Sequence, residues 1–103
     1  MTHMWLRCTV TPGQFSSEFA VSGERSDGTG FSLFAPRELV RPSHEPTHDH
    51  PAEALLRVDT WDRKGDLVLV RLPSPNFNGP QMIYVRTSQL DGNALPPSPV
   101  AKP

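Results

Sequence analysis

Three histidines lie close together in the segment RPSHEPTHDHPAE, residues 41–53. His44, His48 and His50 fall within seven positions. Neutral imidazole nitrogens are common zinc ligands, and three of them can hold the ion with a fourth position open. However, the spacing matches no established zinc signature, and a proline-interrupted segment offers little that would orient the rings. We therefore predict a polar loop with no metal and no cofactor, and keep a metal-binding histidine loop as an alternative hypothesis.

Other residue types that carry out catalysis occur without the spacing that catalysis needs. The chain contains neither a G-x-S-x-G elbow nor a G-x-G-x-x-G or phosphate-binding loop. Cys8 falls within a predicted strand, where a buried and unreactive thiol is expected. The acids Asp59, Asp62 and Asp66 surround a predicted turn, where turn geometry explains them. These observations predict that the protein is not an enzyme.

Aromatic and arginine residues in the second half of the chain form the candidate binding site. Both residue types are enriched where protein partners make their strongest contacts. Because small barrels also use them to stack bases and contact phosphates, binding of single-stranded nucleic acid is an alternative. The predicted partner-binding residues are Trp61, Arg71, Phe77, Tyr84 and Arg86.

Length and composition restrict the class of protein. The chain has 103 residues, a net charge of −1 and a single cysteine. That length suffices for one small domain, and the near-neutral charge gives no overall attraction to nucleic acid or to anionic membranes. A lone cysteine fits a reducing compartment, so a cytoplasmic location is expected. The predicted partner is another protein rather than a membrane, and the oligomeric state is left open.

Period-two alternation of apolar residues predicts a protein built of strands. Leu6, Cys8 and Val10 alternate with polar residues, and similar patterns recur in EFAVS, GFSLFAP, ALLRVDTW, LVLVRLP and MIYVR. Asp27-Gly28 predicts a hairpin turn, and Gly65 predicts another because it can adopt a left-handed conformation. The only helical signals are one or two turns at PRELV and a single 3-10 turn at TSQL.

Proline-rich stretches set the predicted limits of the folded part. Residues 1–91 are predicted to form a single small β-barrel domain, with residues 41–53 as a flexible loop inside it. Four prolines occupy the last eight residues of the chain. Since proline cannot pair into the interior of a sheet, residues 92–103 are predicted to form a disordered tail.

Two stretches of the second half, RKGDLVLVRLP and MIYVRTSQL, resemble the final strands of an SH3-like barrel. The resemblance covers residues 55–90, in which a hairpin leads to a strand, a 3-10 turn and a closing apolar residue. It implies an all-β, closed or partly open barrel of five to six antiparallel strands. The first half lacks the aromatic and acidic cluster of peptide-binding SH3 domains, so binding of proline-rich peptides is not implied. Within this class, the pattern is similar to that of accessory subunits and adaptor modules.

Overall fold

Alternating apolar residues form the strands that the sequence predicts. The computed structural model describes residues 2–91, and within them the chain forms eight strands and two 3-10 turns. The strands are β1 (Thr2–Pro12), β2 (Glu18–Glu24), β3 (Gly30–Pro36), β4 (Val40–Pro42), β5 (Ala52–Lys64), β6 (Leu67–Arg71), β7 (Met82–Arg86) and β8 (Leu90–Asp91). The two turns, η1 (Arg37–Leu39) and η2 (Thr87–Gln89), confirm the helical signals at PRELV and TSQL.

The strands form one curled antiparallel sheet. Its order is β3-β2-β1-β5-β6-β7, with the short strand β4 paired to β5 and the short strand β8 paired to β1. Loops connect the two end strands: the Phe77 amide donates to the Ser32 carbonyl on β3, and the Ser26 amide donates to the Tyr84 carbonyl on β7, both at 2.8 Å. The predicted all-β, partly open barrel is therefore confirmed, with two short strands beyond the expected five to six.

The two halves of the sheet repeat the same arrangement 50 residues apart. In each half a long strand is followed by two further strands, a 3-10 turn and a short strand, with η1 at Arg37–Leu39 and η2 at Thr87–Gln89. The short strand of each half pairs with the long strand of the other half. Leu6 of β1 lies directly opposite its own equivalent, Leu56 of β5. The halves are thus related by an approximate two-fold axis that passes through the pairing of β1 with β5.

The inward faces of the strands form a single apolar core. Leu6, Val10, Ala35, Leu56 and Val85 are all fully buried. Because side chains alternate across a strand, the residues between them point outward, and most of these are polar. The core predicted from the alternation in β1 is therefore correct.

Two tight turns depend on glycine in the left-handed region. Gly28 has a φ of 86° in the β2–β3 hairpin, and Gly65 has a φ of 62° between β5 and β6. In the first turn the Asp27 carboxylate accepts hydrogen bonds from the Thr29 hydroxyl at 2.6 Å and the Thr29 amide at 3.0 Å. These bonds lower the pKa of Asp27 because they stabilise its ionised form. Both predicted turns are confirmed.

The loop that contains the histidines is shorter than predicted, and a hydrogen bond and an ion pair hold it to the neighbouring elements. Residues 41–42 belong to β4 and residues 52–53 begin β5, so the connecting loop spans only residues 43–51. An amide of Ser43 donates to the Glu53 carbonyl at 2.8 Å, and Arg37 forms an ion pair with Glu45 at 2.5 Å. Pro46 is buried although its neighbours are exposed. The predicted bounds of 41–53 are therefore corrected, because pairing of β4 with β5 consumes both ends; the flexibility of the loop stays a prediction.

The predicted disordered tail, residues 92–103, lies outside the described residues.

Between residues 2 and 91 there is no helix with the length and apolarity to cross a membrane.

We expect Leu56→Ala to lower the free energy of unfolding by about 2–5 kcal/mol, because it leaves a cavity between β1, β4 and β5. Leu56 is fully buried opposite both Leu6 and Val40. Leu69→Ala is the control, since Leu69 is only half-buried on the outer face of β6, and it should cost about 1 kcal/mol. Denaturant unfolding measures both values. Equal losses for the two variants would contradict the assignment of inner and outer faces.

Candidate functional site

Three of the predicted binding residues lie on the outer face of the β6–β7 hairpin. Tyr84 is opposite Leu69, and Arg71 is opposite Met82 in the same ladder. Arg86 lies further along β7, where its guanidinium is 3.1 Å from the Asp66 carboxylate. The structure therefore brings Arg71, Tyr84 and Arg86 to one face, although Arg86 already has an acidic partner.

Phe77 lies apart from this face, over β3. Its ring meets the Phe34 ring edge-on with centroids 5.5 Å apart, and its amide is bonded to the Ser32 carbonyl. The Asn76 side chain fixes this loop, because its Oδ1 accepts from the amides of Ser32 at 3.2 Å and Asn78 at 3.0 Å. Phe77 is 65% exposed. It thus extends the outer surface of the first half of the chain.

Trp61 occupies a third position, at a β-bulge. Thr60 pairs with Val70 and Asp62 pairs with Leu69, so Trp61 is the additional residue between two regular pairs. A bulge bends its strand and redirects a side chain, and the Trp61 side chain is 48% exposed. It borders a cavity of about 450 Å³, called here the Trp61 cavity. The lining residues are Met4, Thr60, Trp61, Asp62, Arg63, Val68, Thr87 and Leu90.

The Trp61 cavity exists because the two halves differ at equivalent positions. Val68 pairs with Val85 just as Phe19 pairs with Ala35 in the first half, so Val68 replaces a phenylalanine. The Phe19 ring is 2% exposed. The Arg37 guanidinium covers it, 4.2 Å from the ring centroid, whereas the second half has Thr87 at the position of Arg37. In the first half the Phe19 ring therefore fills the position at which the second half has the Trp61 cavity.

Sequence reasoning identified Trp61 but not its surroundings. Met4, Val68 and Leu90 supply apolar wall, and they come from three different strands. Alignment of the chain with itself at an offset of 49 or 50 residues would have revealed the replacement of Phe19 by Val68. The predicted site is thus divided among three places, and Trp61 is the residue that borders the cavity with Met4, Val68 and Leu90 in its wall.

The single thiol is shielded within the core. Cys8 is 9% exposed, and its Sγ lies 3.6 Å from the Ala54 carbonyl oxygen. Burial raises the pKa of this thiol to about 12, because a low-dielectric environment disfavours the thiolate. Since the thiolate is the nucleophile, the environment of Cys8 is that of an unreactive thiol. The prediction of a buried cysteine is confirmed.

The three loop histidines are exposed side chains. His44 Nδ1 lies 3.1 Å from the Glu45 carbonyl oxygen, and the exposed His48 and His50 flank Asp49. Within residues 2–91, His, Cys, Asp and Glu side chains form no group of three or more that could hold a metal ion. The absence of a metal in the native protein stays a prediction.

Comparison with known proteins gives no functional assignment, so the proposal below depends on the geometry of the candidate site. No protein-family model matches the chain. No curated protein and no solved structure gives a significant match either.

We expect Val68→Phe to fill the Trp61 cavity and raise the free energy of unfolding by about 1 kcal/mol, since cavity filling adds buried apolar contacts. Thermal melting of the variant and the unmodified protein measures the change. The matched control is Phe19→Val, which removes the equivalent ring from the filled half and should destabilise. Marked destabilisation by Val68→Phe would show that the cavity cannot accept a ring.

We expect replacement of His44, His48 and His50 together by alanine to leave the melting temperature unchanged at neutral pH. The rings are exposed, and holding them around an ion would cost conformational entropy that the loop does not offset with apolar contacts. A structural zinc would behave differently, because its binding free energy contributes to folding. Unfolding of the triple variant, or stoichiometric zinc that survives dialysis against a chelator, would contradict the expectation.

Proposed function

We propose that this protein is a non-enzymatic interaction module of the SH3-like class, acting in the cytoplasm as an accessory subunit of a larger assembly. Its partner is another protein, which inserts an apolar side chain into the Trp61 cavity. The observation that carries the proposal is the open cavity beside a half-exposed tryptophan, at a position that the other half fills with Phe19.

The chemistry of the Trp61 cavity supports a protein partner. Its apolar wall includes Met4, Val68 and Leu90, while Asp62 and Arg63 supply a polar border. This combination of an apolar centre and a polar rim is typical of protein interfaces. Burial of one leucine or phenylalanine side chain there contributes about 1.5–3 kcal/mol. Such a gain makes the cavity an anchor, to which further contacts must be added for a stable complex.

A neighbouring surface supplies those further contacts. Asp62 borders the Trp61 cavity and pairs with Leu69, which in turn lies opposite Tyr84. A partner seated on Trp61 therefore reaches the outer face of β6–β7 across adjacent strands, which are about 4.8 Å apart. Tyr84 at the end of this row is 37% exposed. Tryptophan and tyrosine are the residue types that most often dominate the binding energy of an interface.

The Trp61 cavity gives less support to the alternative of nucleic-acid binding at the same residues. Asp62 lies within the cavity wall, and Asp66 forms an ion pair with Arg86. The Asp62 carboxylate opposes the approach of phosphate, and the ion pair with Asp66 occupies the Arg86 guanidinium that would contact it. The exposed loop histidines give no observation in favour of a metal-binding function.

We expect Trp61→Ala to reduce capture of the partner from native lysate, because it removes the side chain that borders the cavity. Tagged protein, lysate of the source organism and quantitative mass spectrometry provide the measurement. Val68→Phe is a second variant, which blocks the cavity but keeps Trp61. Both should reduce recovery of the same protein by about tenfold or more, the loss expected for a residue that dominates binding.

Phe15→Ala is the control for this experiment. Phe15 is 68% exposed, outside the cavity, so the variant loses a comparable exposed aromatic and should retain the partner. The proposal fails if Phe15→Ala loses the same protein, or if the captured proteins do not change in the two cavity variants.

A further inference from the structure

A second surface, on the outer face of β1, β4, β5 and β6, brings together basic and aromatic side chains. Trp5 lies directly opposite Arg57, and the Arg41 guanidinium is 5.0 Å from the Trp5 ring centroid. Arg71 lies opposite Asp59, whose carboxylate is 2.7 Å from His3 Nδ1. His3, Arg57, Asp59 and Arg71 line one cavity of about 190 Å³. We call this surface the Trp5 face.

The arginines of the Trp5 face have no acidic partner in the described part of the chain. Arg7, Arg37 and Arg86 each lie within 4 Å of a carboxylate elsewhere on the molecule. Between residues 2 and 91 no carboxylate lies within that distance of Arg41, Arg57 or Arg71. Asp59 is the one acid in the lining of this cavity, and its carboxylate is hydrogen-bonded to His3. Three guanidinium groups are thus left for an external ligand.

The equivalent groove in the other half has the opposite charge. It is a cavity of about 430 Å³, and its lining contains Arg7, Glu24 and Glu53. Glu53 occupies the position of His3, and Asp91, the equivalent of Arg41, lies 3.7 Å from Arg7. The same backbone therefore carries a neutralised arginine in one half and uncompensated arginines in the other. If the fold itself required unpaired arginines, both grooves would have them. Because only the groove with Arg57 and Arg71 does, the difference indicates a ligand for that groove.

We infer that the Trp5 face binds phosphate groups, either those of a single-stranded nucleic acid or that of a small phosphate compound. Arginine presents a planar set of donors that matches phosphate oxygens, and three such groups on adjacent strands suit a group with several acceptor oxygens. Asp59 holds His3 through Nδ1 and leaves Nε2 for the ligand. The Trp5 ring and the Arg41 guanidinium beside it, 5.0 Å from the ring centroid, are planar groups of the kind that contact bases.

Binding of a fluorescent 12-nucleotide oligothymidine, followed by anisotropy, tests the inference. With three phosphate contacts the affinity should fall about 20-fold between 50 and 200 mM salt, because single strands release about 0.7 counterion per contact. Arg57→Gln combined with Arg71→Gln should reduce the slope of log affinity against log salt from about −2 to about −0.7. Arg7→Gln is the matched control in the equivalent groove and should change neither value.

A competing ligand identifies the source of the phosphate. Displacement of the oligonucleotide by inorganic pyrophosphate would support a small phosphate compound, whereas tight oligonucleotide binding that pyrophosphate does not displace would support a nucleic acid. Trp61→Ala should leave oligonucleotide binding unchanged, since the Trp61 cavity is a separate site. The inference is overturned if neither probe binds at 20 mM salt, if polyglutamate of equal charge binds as well as the oligonucleotide, or if Arg7→Gln is as harmful as the double variant.

Discussion

The pairing of β1 with β5 is the constraint on which the rest of the structure depends. It runs from Thr2 opposite Thr60 to Val10 opposite Ala52, with the two equivalent leucines, Leu6 and Leu56, facing each other near its middle. Each of these strands also accepts the short closing strand of the opposite half, β8 on β1 and β4 on β5. Neither half can complete its own sheet, so the two halves stabilise each other. Both candidate sites are built from residues of these two strands and their neighbours.

Repetition of one arrangement explains how a small domain can carry two candidate sites without losing its core. At the barrel opening the first half keeps Phe19 beneath Arg37, whereas the second half has Val68 and Thr87 in their places. The closed half retains its buried area, and the open half exposes Trp61. On the outer surface the equivalent grooves of the two halves differ in the charge of the residues that line them as well as in volume. Both candidate sites therefore lie where the two halves depart from their internal symmetry.

The sequence predicts the local elements well because their signals are local. Alternation in β1, Asp27-Gly28, Gly65 and the TSQL turn each depend on a few neighbouring residues, and each is confirmed. The division of the candidate site was not predictable in the same way. The position of Trp61 depends on a bulge against β6. That of Phe77 depends on the hydrogen bond that Asn76 Oδ1 accepts from the amide of Ser32 on β3, 44 residues earlier in the chain. Such pairings are set by the register of distant strands, and alternation within one strand does not encode that register.

Net charge also fails to predict a local binding site, because it is a sum over the whole chain. A charge of −1 gives the whole chain no attraction to phosphate, and from composition alone a nucleic-acid ligand is disfavoured. Screening confines the field of a surface charge to about 8–10 Å, so a ligand senses the groups near its site rather than the total. The fold places His3, Arg57 and Arg71 around one cavity and Glu24 and Glu53 around its equivalent. Charges that cancel in the sum are thus separated on the surface, and this separation, created by the strand register, is what a phosphate would recognise.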